Sequence, residues 1–357
     1  LPQTLLPRCD HSACRMLHSH SEHILPHKTR ANVSIMFSSS LRKHCLSAAS
    51  RGARSMSQFK KIGVVGLGLM GHGVAQVTAA AGFQVLAIEA KPEALEIGMK
   101  RIQDSLNKVT ARAVKNGKET PEGAKKIFEE TMARISTSCD IKDAHDCDLI
   151  IEAIIEKEDI KIAFYETLGP LVKPSCVFAS NTSSLAITNM AVASGRPDKF
   201  VGLHFFNPVQ VMKLVEVIST THTDPSVLKD IAEFGTQIGK KTVNCGDTPG
   251  FIVNRLLVPF LTQAMAMVDR GEASVADIDV SMQLGAGHPM GPLHLSDYIG
   301  LDTAYSILLG WKESYPDEPA FIIPKCLEEK VKAGHTGRKS GQGFYKWDGD
   351  KVLGPVE

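Results

Sequence analysis

Short, almost continuous apolar runs recur between residues 60 and 219 and predict the strands of a buried sheet. The runs are KIGVV after Lys60, FQVLAIE from Phe83, DLIIEAII from Asp148, CVFAS from Cys176, KFVGLHFF from Lys199 and LVEVIS from Leu214. Between the second and third runs, Leu95, Met99, Ile102 and Leu106 recur at spacings of three and four, as in a packed helix. Since near-continuous apolar runs suit strands covered on both faces, the pattern predicts a doubly wound parallel sheet of the α/β class.

After residue 247 the apolar period becomes that of helices. Ile252 and Leu256 lie on one helical face, and Ser274 with Asp277 resembles a capping box that opens another helix. This pattern predicts a smaller all-α C-terminal domain. Its apolar surface is larger than a domain of about 100 residues needs for its own core, so we expect a subunit interface there.

The chain has 357 residues, enough for two packed cores and a further segment. We divide it into an extension at 1–58, an α/β domain with a helical insertion at 59–246 and a helical domain at 247–357. The net charge of +1 gives no general field that would attract nucleic acid or an anionic membrane. The apolar stretches are too short for stable membrane insertion, which needs about 18 residues. Eight cysteines without regular spacing indicate reduced thiols, and we expect no metal site.

The extension has the composition of a mitochondrial transit peptide. No Asp or Glu occurs between Glu22 and Glu89, and residues 36–58 are basic and rich in serine. We expect this segment to be disordered and removed in the organelle. Residues 1–35 could instead be untranslated or cloning sequence, with Met36 as the natural start.

The first apolar run leads into a turn with Gly66, Gly68 and Gly71, which have the spacing GxGxxG. In a Rossmann-like domain the first glycine makes a tight turn, the second lets a pyrophosphate approach the backbone, and the third lets helix pack on strand. Glu89 ends the second run, where an acid accepts hydrogen bonds from ribose hydroxyls and repels a 2′-phosphate. The sequence therefore favours NAD over NADP.

A candidate base follows at His204, at the carboxyl end of a predicted strand, where ligands of open α/β sheets bind. Histidine suits proton removal from an alcohol near neutral pH, and Glu216 could hold its ring in one tautomer. Taken alone, each residue could equally be structural: a buried histidine beside phenylalanines, or a surface acid. The segment SNTSSL could supply hydrogen bonds to an oxyanion or could be a turn and helix cap.

Five motifs in order resemble the L-3-hydroxyacyl-CoA dehydrogenase family over residues 60–347: GLGLMGHGVAQV, ASNTSSL, GLHFFNPVQVMKLVEV, DTPGFIVNRLLVPFL and LGAGHPMGPLHLSDYIGLD. The resemblance implies His204 as catalytic base, Glu216 as its partner, Ser183 as a ligand of the substrate 3-oxygen, and Asn254 beside the reacting carbons. It implies the following contacts to NAD: Gly66, Leu67, Gly68, Leu69, Met70, Gly71, Glu89, Glu156, Lys161, Ser183 and Lys339. For coenzyme A it implies Ser105, Arg112 and Ser183.

The chain departs from the family pattern at Glu89 and Arg112, where the family often has Asp and Lys, and in the loop at 116–122. The first two changes preserve charge, so they bear on ribose geometry and phosphate affinity rather than on activity.

The resemblance implies oxidation of (S)-3-hydroxyacyl-CoA to 3-ketoacyl-CoA with NAD, in fatty-acid β-oxidation in the mitochondrial matrix, by a homodimer joined through the helical domain. One alternative is a 3-hydroxybutyryl-CoA dehydrogenase. A second, a β-hydroxyacid dehydrogenase, would be expected to use a catalytic lysine. A third, a non-catalytic NAD-binding scaffold, has no physical need for Ser183, His204, Glu216 and Asn254 together.

Overall fold

The computed structural model describes residues 58–356, and the segment predicted to be a transit peptide lies outside them but for residue 58. The strands of the α/β part are β1 (Lys61–Val65), β2 (Gln84–Ile88), β3 (Ile135–Ser138), β4 (Leu149–Glu152), β5 (Val177–Ser180), β6 (Phe200–Phe205), β7 (Leu214–Ser219) and β8 (Lys241–Gly246). Its helices are α1 (Gly71–Ala80), α2 (Pro92–Lys115), α3 (Pro121–Ala133), α4 (Glu158–Leu168), α5 (Ile187–Ala193) and α6 (Pro225–Gln237). Across residues 58–356, no helix has the length and apolar content to cross a membrane.

The eight strands form one sheet in the order β3-β2-β1-β4-β5-β6-β7-β8. The chain order reverses between β1 and β4, which places a crevice outside the carboxyl ends of these two strands. Every neighbouring pair is parallel except β6 and β7. These two are antiparallel because the connection at 206–213 is shorter than the dozen or so residues that a parallel crossover needs.

The predicted α/β class is confirmed, and all six apolar runs are strands of the sheet. Two further strands, β3 and β8, were not predicted. They form the two edges of the sheet, and their sequences ISTS and KTVNCG are largely polar and partly exposed. An edge strand is covered less fully than a central one, so it lacks the continuous apolar run on which the prediction relied.

The C-terminal part is helical, as predicted, with α7 (Val253–Asp269), α8 (Val275–Gly285), α9 (Pro292–Ile299), α10 (Leu301–Ser314) and α11 (Lys325–Lys332). Ser274 caps α8 as predicted: its hydroxyl accepts a hydrogen bond from the Asp277 amide at 3.1 Å and donates one to the Asp277 carboxylate at 2.6 Å. An antiparallel hairpin, β9 (Tyr345–Asp348) and β10 (Lys351–Pro355), follows the helices and departs from the all-α expectation.

A buried carboxylate joins this hairpin to the helices. Asp297 in α9 accepts hydrogen bonds from the amides of Phe344 and Tyr345 and from the Trp347 indole, each at 2.9 Å. Burial raises the pKa of Asp297 above its ordinary value, although these three donors oppose the shift. The hairpin therefore belongs to the helical core, which also contains Met265 and Leu293.

Candidate active site

The glycine turn between β1 and α1 has the shape that a dinucleotide requires. Gly66 has φ of +89°, and a Cβ there would lie 2.6 Å from the Ala153 carbonyl oxygen. At Gly71 a Cβ would lie 1.7 Å from the Gly66 carbonyl oxygen, whereas at Gly68 it would meet no atom within 4 Å. The fold itself thus requires the first and third glycines, while the second faces open space. That space is where a pyrophosphate approaches the N-terminus of α1.

Glu89 directly follows β2 and lies beside the turn. One of its carboxylate oxygens, Oε1, accepts a hydrogen bond from the Leu67 amide at 2.5 Å. Within residues 58–356 this is the only hydrogen bond to the carboxylate that is resolved, so the other oxygen remains for a ribose hydroxyl. The geometry fits NAD at this edge of the sheet.

His204 and Glu216 face each other across the antiparallel pair of β6 and β7. The ring nitrogen Nδ1 of His204 lies 2.7 Å from Oε2 of Glu216, and both side chains are buried. The second oxygen of Glu216 accepts hydrogen bonds from the amides of Ile252 at 3.1 Å and Val253 at 2.9 Å, where α7 begins. One carboxylate therefore fixes the imidazole and also joins the sheet to the first helix of the C-terminal part.

The electrostatics of Glu216 suit a partner for a charged imidazole. Burial by itself raises the pKa of this carboxyl, but hydrogen bonds from His204 and from the Val253 amide outweigh it, and the pKa lies below 4.5. Glu216 is therefore ionised at neutral pH and accepts a hydrogen bond from Nδ1–H of His204. The neutral ring then carries its lone pair on Nε2, as a general base needs.

Ser183 and Asn254 complete the group around this ring nitrogen. The Ser183 hydroxyl lies 3.1 Å from Nε2 of His204, and the Asn254 side-chain amide donates to the Ser183 carbonyl oxygen at 3.4 Å. The structure thus brings together all four residues named as catalytic from the sequence.

Two phenylalanine rings border the imidazole. The centroids of Phe206 and Phe251 lie 4.6 Å and 5.6 Å from that of His204. Phe251 has φ of +56°, a left-handed conformation that costs a bulky residue about 1–2 kcal/mol. Phe251 directly precedes the two residues whose amides bind Glu216, so the strained conformation lies where the chain presents these amides to the carboxylate.

Glu156 and Lys161 lie behind Ser183. One Glu156 oxygen accepts hydrogen bonds from the Thr182 hydroxyl at 2.5 Å and the Ser183 amide at 2.8 Å. The other is 3.1 Å from the Lys161 ammonium, which is also 2.6 Å from Glu152. Lys161 is fully buried, so in this structure it reaches a cofactor only through Glu156.

The remaining predicted residues lie apart from the His204 group. Lys339 belongs to the C-terminal part and pairs with Asp302 at 2.5 Å. Ser105 and Arg112 lie two turns apart on α2 and therefore on one face of that helix. In the part of the chain that the structure describes, no resolved hydrogen bond or ion pair joins these residues to His204.

Sequence reasoning missed two residues that build the site. Asn181 accepts the Phe205 amide at 2.9 Å and so ties the end of β5 to the strand that carries His204. Glu152 is the fully buried last residue of β4. The sequence did contain a feature that could have revealed Glu152: an acidic residue within the apolar run DLIIEAII is expected to be buried and therefore to need a partner.

The fold and the site define a class: an NAD-binding oxidoreductase with a helical second domain. The chain belongs to the 3-hydroxyacyl-CoA dehydrogenase family. The family's sequence model for the NAD binding domain matches residues 61–248, and its sequence model for the C-terminal domain matches residues 250–347.

Similar proteins agree over most of the chain. The mitochondrial hydroxyacyl-coenzyme A dehydrogenase of Sus scrofa is 45% identical over 305 residues, covering 85% of this chain and 96% of that protein. The crystal structure of (S)-3-hydroxybutyryl-CoA dehydrogenase PaaH1 from Ralstonia eutropha has a TM-score of 0.76 and 36% identity, covering 81% of this chain and 99% of that one. FadB2 of M. tuberculosis has a TM-score of 0.75 and 41% identity, covering 81% and 99%.

Proposed function

We propose that the protein oxidises (S)-3-hydroxyacyl-CoA to 3-ketoacyl-CoA with NAD as a step of fatty-acid β-oxidation. The observation that supports this most is the position of His204, between the Glu216 carboxylate and the Ser183 hydroxyl, on the sheet that also carries the glycine turn. A scaffold protein has no need to bury a histidine with its free nitrogen beside a hydroxyl.

The mechanism follows from these contacts. Nε2 of His204 takes the proton of the substrate 3-hydroxyl, and Glu216 stabilises the imidazolium that results. The Ser183 hydroxyl hydrogen-bonds the 3-oxygen, while Asn254 holds the Ser183 backbone and lies beside the reacting carbons. NAD, when bound, supplies the acceptor for the hydride that leaves C3. The rings of Phe206 and Phe251 pack beside the imidazole, which is buried.

Binding is divided among separate elements. The turn from Gly66 to Gly71, with Glu89, holds the adenosine and pyrophosphate of NAD, and the resemblance adds Glu156, Ser183 and Lys339 as further contacts. Lys161, also implied for NAD, is buried and supports Glu156. Ser105 and Arg112 on α2 bind the coenzyme A moiety, where the Arg112 guanidinium suits a phosphate. The acyl-CoA thioester and the cofactor therefore meet at Ser183.

We also propose a homodimer in the mitochondrial matrix, with a transit peptide within the extension at 1–58 and the domain boundary at 246/247. The similar Sus scrofa protein is named mitochondrial. The helical part exposes large apolar side chains on α7 and α8: Leu256 is 69%, Val280 50% and Leu284 83% exposed. Burial of such an apolar surface favours association of two subunits. Measurement of the molecular mass in solution tests this, with Leu284→Glu as the variant expected to disrupt the dimer.

Steady-state assay of the purified protein tests the activity. With NAD and a C4 to C16 series of (S)-3-hydroxyacyl-CoAs, we expect turnover of several chain lengths, with NADP a far poorer cofactor. Activity confined to the C4 substrate would indicate a 3-hydroxybutyryl-CoA dehydrogenase, the activity named for the Ralstonia eutropha structure. NAD binding without turnover would indicate a scaffold.

A further inference from the structure

A group of charged side chains lies in the interior beneath Ser183. Glu152 and Lys161 are both fully buried, and their charged atoms are 2.6 Å apart. Glu152 also accepts hydrogen bonds from the Ile154 amide at 2.8 Å, the Ser180 hydroxyl at 2.7 Å and the Tyr165 hydroxyl at 3.3 Å. With four donors on its two oxygens, this carboxylate is fixed within the core.

A buried ion pair needs these additional hydrogen bonds because removing two charges from water is costly in free energy. Stability alone does not explain the pair, since apolar residues of similar volume usually serve a core as well or better. The second contact of Lys161 indicates a use. Its ammonium lies 3.1 Å from Glu156, a side chain that is 39% exposed and therefore lies at the edge of the core.

Glu156 connects the buried pair with the catalytic group. It accepts the Thr182 hydroxyl and the Ser183 amide, and the Ser183 hydroxyl lies 3.1 Å from Nε2 of His204. We propose that Glu152 and Lys161 form a positioning pair, which holds the Glu156 carboxylate in place and through it the Ser183 hydroxyl that faces the catalytic base. This inference rests on the proposed function. In this structure the Lys161 ammonium is buried, so it acts on the site through Glu156.

The pair acts on turnover more than on affinity. Coenzyme A and the adenosine half of NAD are assigned to α2 and to the glycine turn, and within residues 58–356 no resolved hydrogen bond or ion pair joins the Lys161 ammonium to either. A shift of Ser183 of about 1 Å changes the geometry at the reacting carbon, and such a shift can cost on the order of 100-fold in rate. We therefore expect loss of kcat with little change of either KM.

Three variants test this: Glu152→Gln, Lys161→Met and the double variant. Lys161→Met leaves the buried Glu152 without its cation, and Glu152→Gln leaves Lys161 paired only with Glu156 at the edge of the core. Tm should therefore fall by roughly 5–10 °C and kcat by about 10- to 100-fold, with each KM within about threefold. The double variant removes both charges, so it should regain most of the lost Tm. Its kcat should stay low, because Glu156 still lacks its ammonium. Recovery of kcat together with Tm would mean that the pair only stabilises the core.

A matched control and a milder variant accompany these. Asp297→Asn also alters a buried carboxylate with three N–H donors, but in the helical domain, so Tm should fall while kcat stays near that of the wild type. Ser180→Ala removes one hydrogen bond from Glu152 and no charge, so a folded protein with kcat several-fold lower is expected. An unchanged kcat in folded Ser180→Ala, or a Lys161→Met protein with raised KM for NAD at normal kcat, would overturn the proposal.

A crystal structure separates this inference from the proposed activity. In Lys161→Met, the contact between Ser183 Oγ and His204 Nε2 should be lost whether or not the wild type oxidises acyl-CoA. An intact contact at the same distance refutes the positioning role. Absence of activity in the wild-type protein refutes the proposed function and leaves this geometric test valid.

Discussion

Replacement of Glu216 by glutamine, which keeps the shape and removes the charge, should nearly abolish catalysis. Oε1 of Glu216 accepts two backbone amides at the start of α7. In Glu216→Gln the side-chain carbonyl must stay on these amides, because an NH₂ group there would face two donors. The NH₂ group then faces Nδ1 of His204, which must become the acceptor, and the ring proton moves to Nε2. The base is thereby lost in most molecules.

The magnitude follows from the contact that is changed. A hydrogen bond to a charged group contributes about 1.5–3 kcal/mol, which corresponds to roughly 10- to 150-fold in rate if it is fully expressed in the transition state. The change of tautomer adds to this, so we expect kcat to fall on the order of 10²–10⁴-fold. Tm at neutral pH should fall only modestly, because the two amides keep their acceptor while the stabilisation from the ionised carboxylate is lost. His204→Gln should cost a similar 10²–10⁴-fold while NAD binding persists.

The assay is a double-mutant cycle on kcat. If Glu216 acts only through the imidazole, the double variant His204→Gln/Glu216→Gln should be about as slow as His204→Gln alone. NAD affinity, measured by fluorescence or calorimetry, serves as the control for folding of the cofactor domain. Losses that multiply across the two positions would refute the mechanism, since they would mean that the two side chains act independently.

Three further substitutions test other parts of the site, and a pH dependence tests Glu216 again. Glu89→Ala should weaken NAD at least tenfold more than acyl-CoA, since it acts at the ribose; equal NAD affinity rejects that role. Gly68→Ala should fold with normal Tm but bind NAD poorly, because its Cβ meets only the cofactor space, and normal NAD affinity would contradict this. Arg112→Ala should raise KM for acyl-CoA several-fold at unchanged kcat, and an equal loss with acyl-pantetheine would place the phosphate contact elsewhere. The lowered pKa of Glu216 predicts stabilisation that is present above pH 4.5 and lost as the pH falls through the folded-state pKa, so acid unfolding of Glu216→Gln should lack this dependence.

The central strands could be predicted because burial on both faces leaves a direct trace in the sequence. The run FVGLHF is apolar throughout but for its histidine, and β6 is buried along its whole length. The edge strands left no such trace, and neither did the hairpin, whose strand YKWD alternates between buried and exposed positions. Short strands at a sheet edge are specified by their neighbours rather than by their own residues.

The candidate site was accessible from the sequence only in part, for a related reason. The spacing of Gly66, Gly68 and Gly71 carries its own geometry, so the turn could be predicted from the residues. The pairing of His204 with Glu216 depends on the register of two antiparallel strands, whereas the sequence predicted parallel strands throughout. From the residues alone, a contact between the two side chains was therefore only one of several possibilities, and the motif resemblance suggested their roles. In the structure, the strand register brings Nδ1 of His204 within 2.7 Å of Oε2 of Glu216.

The motif resemblance and the observed contacts suggest different roles for Lys161. The motif match assigns it to NAD, but the structure surrounds its ammonium with the carboxylates of Glu152 and Glu156 and excludes it from solvent. A residue can be required for cofactor chemistry without touching the cofactor, when it fixes the group that does. A charge buried at this depth is retained only if its partners satisfy it, and here one of those partners holds the backbone of Ser183. The path from β4 to the catalytic base is thus a chain of hydrogen bonds, and any side chain in it can limit turnover.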